Sequence, residues 1–436
     1  MERQTTAGGT ARLCRIGTDR FKAGLLSVLA AIPIDRESAC LAPLLLSVLR
    51  RGTKHYPTLT DVNRRLDRLW GTAFSIRSAY RGNLLLVGFS AGLLDGSYLP
   101  EGGDELLHGV TELMREILLE PIRDADGLLS AKYVESEKQL QIDAIRAQKN
   151  NPAAYAADRA RALLCADEPC GIPLLGTEEE TAAVTREQLT AYYERFLAAF
   201  HPIVFSVGST EAERLARELD GCFGGRLTAP SALPCSIHRL AKRDEPLRVT
   251  EQLEVAQSQL VLGLRTGILL GDKDFYACSV YNELLGVSPV SRLFTYVREK
   301  QSLCYSCSSS YRGTHGTVSI ACGIKRENRE RAEAEILHQL DLLREGDFTD
   351  GELDAAKNSL VNAYRQLSDS ASGMEGFCVG RMLACGEAAP TAEESVNGIQ
   401  QVTREDVIRV ARAVTVEVTY FLEGTLAEEE TDDEDD

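Results

Sequence analysis

Basic clusters are missing from this 436-residue chain: Lys and Arg never run longer than a dipeptide, and 48 of them stand against 65 Asp and Glu, for a net charge of −17. Nucleic acid and anionic bilayer surfaces are bound through clustered cations, so neither belongs among the expected partners. Long apolar runs are missing too, and none reaches the ~20 residues that cross a bilayer. The run from Ala23 to Ile34 lies far from Met1, lacks a basic start and ends in Asp35-Arg36-Glu37. It reads as a buried strand and not as a signal core, and a cytoplasmic chain is the expectation. Histidine is scarce. Of the six, no two lie closer than 23 residues, so no helix can carry a His-x-x-x-His pair. Only tertiary convergence of distant residues could build a metal site here. The twelve cysteines are scattered, without the framework of a small secreted domain, and most read as small core residues. Cys304-Tyr-Ser-Cys307 has the CxxC spacing, but it sits inside a strand-like alternation with no turn between the thiols and no second CxxC. It reads as structural and not as a redox or metal motif.

What is present is length for two or more cores, an ordinary 44% hydrophobic content, and a repeat. Val184-Thr-Arg-Glu187 and Val402-Thr-Arg-Glu405 each open a helical pattern that a strand-like run follows, with Thr as the candidate N-cap. Tyr80-Arg-Gly82 and Tyr311-Arg-Gly313 each turn between two strand-like runs. Ala162-Leu-Leu-Cys165 and Met382-Leu-Ala-Cys385 close similar helical stretches. The strands 25–32 and 260–264 are each followed by an apolar helix ending in glycine, 39–52 and 273–286. Matches in one order at a nearly constant offset predict a duplicated fold. Each copy reads as an α+β half: a largely antiparallel sheet, signalled by its hairpins, with helices on one face. The halves span 12–225 and 246–426, joined by a proline-containing linker at 226–245. Residues 427–436 form an acidic tail expected to be disordered; its last nine positions carry eight negative charges.

Ser291-Arg-Leu-Phe294, Val297-Arg-Glu-Lys300 and Leu303-Cys-Tyr-Ser306 resemble the second-half signature of the pitrilysin/insulinase zinc peptidases, a family that includes the mitochondrial processing peptidase and core subunits of respiratory complexes. The resemblance extends over nearly the whole chain and implies the same duplicated α+β layout. In the family, a first-half helix carries His-x-x-Glu-His, whose two histidines bind zinc while the Glu activates water. Here those positions are Pro43, Leu46 and Ser47, just ahead of a family-like Leu49-Arg-Arg-Gly-Thr53. Glu135 matches the third-ligand position, yet by itself reads as a solvated helix charge. The second half keeps its functional pair. Arg298 and Tyr305 match the Arg and Tyr that, in the family, bind the substrate carbonyl and steady the oxyanion from the half opposite the zinc. Their counterparts in the first half, Asp67 and Phe74, cannot do this. The family's glycine before the Leu-x-Tyr run is Ser302 here, and its glycine-rich approach to the signature is reduced to Leu285-Gly-Val-Ser-Pro289.

The resemblance therefore implies the non-metal subunit of a heterodimeric zinc metallopeptidase, inactive alone. A zinc-motif-bearing homologous subunit would be the partner and a peptide the substrate, with no cofactor in this chain and zinc in the partner. The alternative is a catalytically inert scaffold or protein-binding module derived from that fold. A self-sufficient hydrolase with another nucleophile is a third reading, for which no Gly-x-Ser-x-Gly elbow and no compelling Cys/His arrangement is seen. Within the family the chain is similar to metal-motif-lacking members of Gram-positive bacteria, typically encoded beside a sibling that keeps the motif. Some are named for an association with aminopentanol modification of elongation factor P.

Overall fold

The computed structural model describes residues 3–8, 11–99, 104–223, 243–386 and 389–426. Most of the expected linker and all of the expected acidic tail lie outside them. The strands are β1 (Arg3–Gly8), β2 (Ala11–Gly17), β3 (Ala23–Pro33), β4 (Phe74–Arg81), β5 (Leu84–Leu94), β6 (Pro202–Gly208), β7 (Leu247–Leu253), β8 (Ser258–Arg265), β9 (Cys304–Arg312), β10 (Thr317–Ile324) and β11 (Thr415–Gly424). The helices are α1 (Arg36–Arg50), α2 (Leu59–Arg68), α3 (Asp104–Leu119), α4 (Ala131–Ala147), α5 (Pro152–Leu164), α6 (Glu178–Ala183), α7 (Arg186–Ala198), α8 (Ala212–Phe223), α9 (Phe275–Asn282), α10 (Arg329–Glu345), α11 (Asp350–Gln366), α12 (Ala371–Cys385), α13 (Ala392–Gln400) and α14 (Arg404–Ala413).

Among the described residues the strands form two sheets, ordered β1-β2-β6-β3-β5-β4 and β7-β11-β8-β10-β9. Apart from β1, the two orders are the same, and so are the pairings. Only β2 with β6, and β7 with β11, run parallel. The duplicated α+β halves expected from the sequence are thus present, strand for strand. The two Val-Thr-Arg-Glu segments start matching helices, α7 and α14. Thr185 and Thr403 are their N-caps, each in a capping box: Gln188 N–H donates to Thr185 Oγ1 and Asp406 N–H to Thr403 Oγ1, both at 3.2 Å. The run from Ala23 is strand β3, as its apolar pattern predicts.

Two compact units result, and they do not follow the contiguous halves of the sequence. One consists of Met1–Arg146, Ile172–Cys235 and Leu367–Leu383; the other of Ala147–Gly171, Ser236–Gln366 and Ala384–Asp436. Each unit thus takes one helical segment from the other half of the chain. In the second unit, α5 lays Ala156, Ala160 and Leu164 on Val261, Val418, Tyr420 and Leu422. In the first, α12 lays Met374, Cys378, Val379 and Met382 on Cys14, Ile16, Leu29, Leu86, Ile203, Phe205 and Val207. The opposite face of each sheet carries the main helical layer and the larger core. This double cover explains why every residue of β6 and β8 is buried, polar Ser206, Gln259 and Arg265 included.

A second difference concerns the apolar helix expected over 273–286. Its α-helical part is α9, which ends at Asn282, and a π-helical turn, Glu283–Val287, continues it. Gly286 leaves helical geometry there. A Cβ at Gly286 would lie 2.7 Å from Ser309 N and 2.8 Å from Ser309 Oγ, so the missing side chain lets β9 approach.

Candidate functional site

The degenerate zinc helix is α1, capped by Asp35, whose carboxylate accepts the Ser38 N–H at 2.7 Å. Pro43 and Leu46 are buried and Ser47 is half-buried. Proline inside a helix withdraws one donor, so the Ala39 carbonyl loses its i+4 partner. The Leu175 N–H takes that place at 3.1 Å. Beside it, Gln141 of α4 donates to the carbonyls of Cys40 (3.1 Å) and Leu175 (3.0 Å) and to Thr181 Oγ1 (3.3 Å). A neutral amide and two backbone carbonyls thus occupy the polar ground next to α1. Glu135 faces solvent, its side chain 77% exposed and 3.6 Å from Lys138. The carboxylate of α4 that turns inward is Glu137, which is nearly buried and ion-paired with Arg51. Two apolar side chains, one hydroxyl and a solvent-facing carboxylate do not make a zinc donor set, and zinc does not fit this helix.

In the second unit the signature forms a π-helical segment, Leu293–Lys300, which packs on β9. π-helical geometry is uncommon and concentrates at functional sites. Three residues of Ser-Arg-Leu-Phe have a discernible part. Leu293 is fully buried. Arg292, also buried, reaches Gln339 Oε1 (2.8 Å) and the Asp347 carbonyl (2.9 Å), and its guanidinium stacks over Tyr296. Phe294 is the platform under Arg298, whose guanidinium lies 4.8 Å from the ring centroid. Arg298 is 41% exposed and ion-paired with Glu299 at 3.1 Å. Arg292 thus anchors the segment, and its role could not be told from that of Arg298 by sequence.

Tyr305 lies on β9 and is 49% exposed. Its outward position follows from a β-bulge. Ser306 opposes Gly323 and Cys304 opposes Ile324, so Tyr305 is the residue left over. The same bulge also changes which face the CxxC thiols share. Residues three apart on a regular strand point to opposite faces, but here Cys304 joins Cys307 on the core face, opposite Cys322 of β10. The thiols of Cys307 and Cys322 hydrogen-bond to Cys304, and with help from the Arg298 charge they lower its pKa to about 4; those of Cys307 and Cys322 are raised. Cys304 connects the two sequence-predicted residues: it adjoins Tyr305 and senses Arg298.

Comparison with known proteins bears on the fold and the family resemblance. Residues 183–360 match the peptidase M16 inactive domain. The chain is 28% identical over 411 residues to the probable inactive metalloprotease YmfF of Bacillus subtilis, covering 94% of this chain and 95% of that one. The crystal structure of a conserved protein from Enterococcus faecalis superposes with a TM-score of 0.87 at 26% identity, over 97% of this chain and 98% of that one. A peptidase M16 inactive domain from Pseudomonas fluorescens shares the fold, with a TM-score of 0.76 at 20% identity over 98% and 99% of the two chains. The chain is thus similar to M16 peptidases and their inactive homologues, and it lacks the metal motif. This bears out the resemblance to the pitrilysin/insulinase family.

Other chemistry-bearing groups of the M16-like chain fall outside that signature. Contrary to the expectation that no Gly-x-Ser-x-Gly elbow is present, Gly88-Phe-Ser-Ala-Gly92 has that spacing, although not the elbow. It lies within β5, and buried Ser90 shares a 2.6 Å hydrogen bond with Ser27 Oγ. A strand interior is not the strand-to-helix elbow that exposes a nucleophile. Two ligand-like groups also arise by convergence: Cys165 with Glu168 and Cys170, and His108 with Glu218 and Cys222. In the first, buried Arg265 is ion-paired with Glu168, and a fixed cation there disfavours a metal ion. No described helix is long and apolar enough to cross a membrane.

Proposed function

We propose that this chain is the non-metal subunit of a two-chain zinc peptidase. It supplies Arg298 and Tyr305 to bind the substrate carbonyl and the oxyanion, while a homologous partner chain supplies the zinc helix. One observation carries the reading: the metal helix has lost its donors, while Arg298 and Tyr305 remain solvent-accessible on a buried, anchored framework. A guanidinium held over Phe294 and a phenol O–H are preorganised donors, which gain strength where water is excluded. The name of the Bacillus subtilis relative, a probable inactive metalloprotease, supports an absence of activity in the isolated chain. A peptide could add as a further strand along β9, the last strand of its sheet. Because Arg298 already pairs with Glu299, a second reading, an inert scaffold or protein-binding module, is also favoured by an observation. The test is reconstitution with a homologue bearing His-x-x-Glu-His. Mixing should create peptidase activity that neither chain has alone, and Arg298→Ala or Tyr305→Phe should lower turnover by about 10²-fold. Activity on mixing that both variants leave unchanged rejects the role of the pair. Complex formation without activity supports the scaffold.

A further inference from the structure

Among the described residues the helix α8, like β1, has no equivalent in the second half. It packs on α3, with Leu215 and Leu219 buried on α8 and Leu107, Val110 and Thr111 buried on α3. At the edge of this contact three different donor types converge. His108 of α3, Glu218 and Cys222 of α8 bring one ligand atom each to within 4.8 Å of one another. His108 Nδ1 is 3.0 Å from Glu218 Oε2, and Cys222 Sγ is 3.4 Å from Thr111 Oγ1. We propose that His108, Glu218 and Cys222 bind one divalent transition-metal ion, zinc by preference, and that the ion clips α8 to α3.

The spacing suits this role. Glu218 and Cys222 are four apart and share a face of α8. Glu112, four beyond His108 on α3, is ion-paired with Arg65 at 3.8 Å and stands outside the trio, so solvent would fill the fourth position. Zinc takes imidazole, thiolate and carboxylate at about 2.0–2.3 Å, which sets its ligand atoms roughly 3.3–3.8 Å apart, so the trio needs only a small closing movement. A mixed N, S, O set selects zinc over magnesium or calcium, which prefer oxygen alone. The thiol proton leaves to solvent as the Cys222–metal bond forms. The site is separate from the peptidase reading and requires no peptide chemistry.

The test uses the full-length chain, reduced, freed of metal with chelator and titrated with cobalt(II) and zinc(II). One equivalent of cobalt should bind more tightly than about 10 µM and show a near-ultraviolet sulfur-to-cobalt charge-transfer band. Cys222→Ser should remove the band, and His108→Ala, at an exposed position that spares the fold, should weaken binding about tenfold or more. Cys304→Ala, in the other unit, should change neither. Absence of binding, binding without the thiolate band, or a band that survives Cys222→Ser overturns the proposal.

Discussion

The β-bulge at Tyr305 makes a prediction about Cys304 that alkylation can check. The hydrogen bonds from Cys307 and Cys322, helped by the Arg298 charge, hold its pKa down to about 4. A thiol of ordinary pKa, about 8.5, is roughly 0.3% thiolate at pH 6, whereas Cys304 is almost wholly ionised, a gain of roughly 300-fold. Intrinsic nucleophilicity falls with pKa along a slope of about 0.4–0.5, which removes roughly 100-fold of that gain. The net rate advantage at pH 6 is thus about threefold and shrinks further with partial burial, so a single rate decides nothing. The pH profile does. Alkylation of Cys304 by iodoacetamide, followed by peptide mass spectrometry, should be nearly flat between pH 5 and 8, while an ordinary exposed thiol accelerates about tenfold per pH unit. Because the neighbouring thiols outweigh Arg298 among the causes, Cys307→Ala should restore more of the pH dependence than Arg298→Ala. A wild-type rate that climbs tenfold per pH unit across this range would mean that the bulge does not gather the three thiols, and the account of Tyr305's exposure would fall with it.

Three further tests use substitutions in the second unit. Gly286→Ala forces a Cβ to within 2.7 Å of Ser309 N and should cost about 1–3 kcal/mol in urea unfolding; an unchanged midpoint contradicts the close approach of β9. Ser302 sits in the left-handed region at φ +49°, so Ser302→Gly should relieve about 1 kcal/mol of steric cost, keep part of it as a net gain of about 0.5 kcal/mol after the added backbone entropy, and raise the urea midpoint. In the second unit, Glu168→Leu or Arg265→Leu leaves one buried charge unpaired and should cost about 3–5 kcal/mol, whereas the double substitution should cost much less. Hydrogen exchange of the α5 amides reads both arms, and strictly additive losses would show that the two side chains do not act as a pair.

Much of the architecture was legible because it rests on local pattern. The repeated Val-Thr-Arg-Glu segments announce capped helices, because a Thr hydroxyl followed at N3 by Gln188 or Asp406 satisfies the same orphan amides in either half. The largely apolar runs announced strands, and the loss of donors at Pro43, Leu46 and Ser47 could be read directly from residue type. Three things could not be read this way. α5 and α12 each pack on the sheet of the other half of the chain, a choice that lies in long-range packing and not in their own local pattern. Arg292 and Arg298 are the same residue type six positions apart, yet burial makes one an anchor and leaves the other accessible. The side-chain face at Cys304 depends on a single extra residue in a strand pair, which shifts alternation by one and has no mark in the sequence. The sequence determined which elements form and which chemistry α1 has lost, since caps, periodicity and donor type are properties of neighbouring residues. Tertiary structure alone decided which helix covers which sheet, which arginine reaches solvent, and which thiols, imidazoles and carboxylates meet, since those depend on register and packing between residues far apart in the chain.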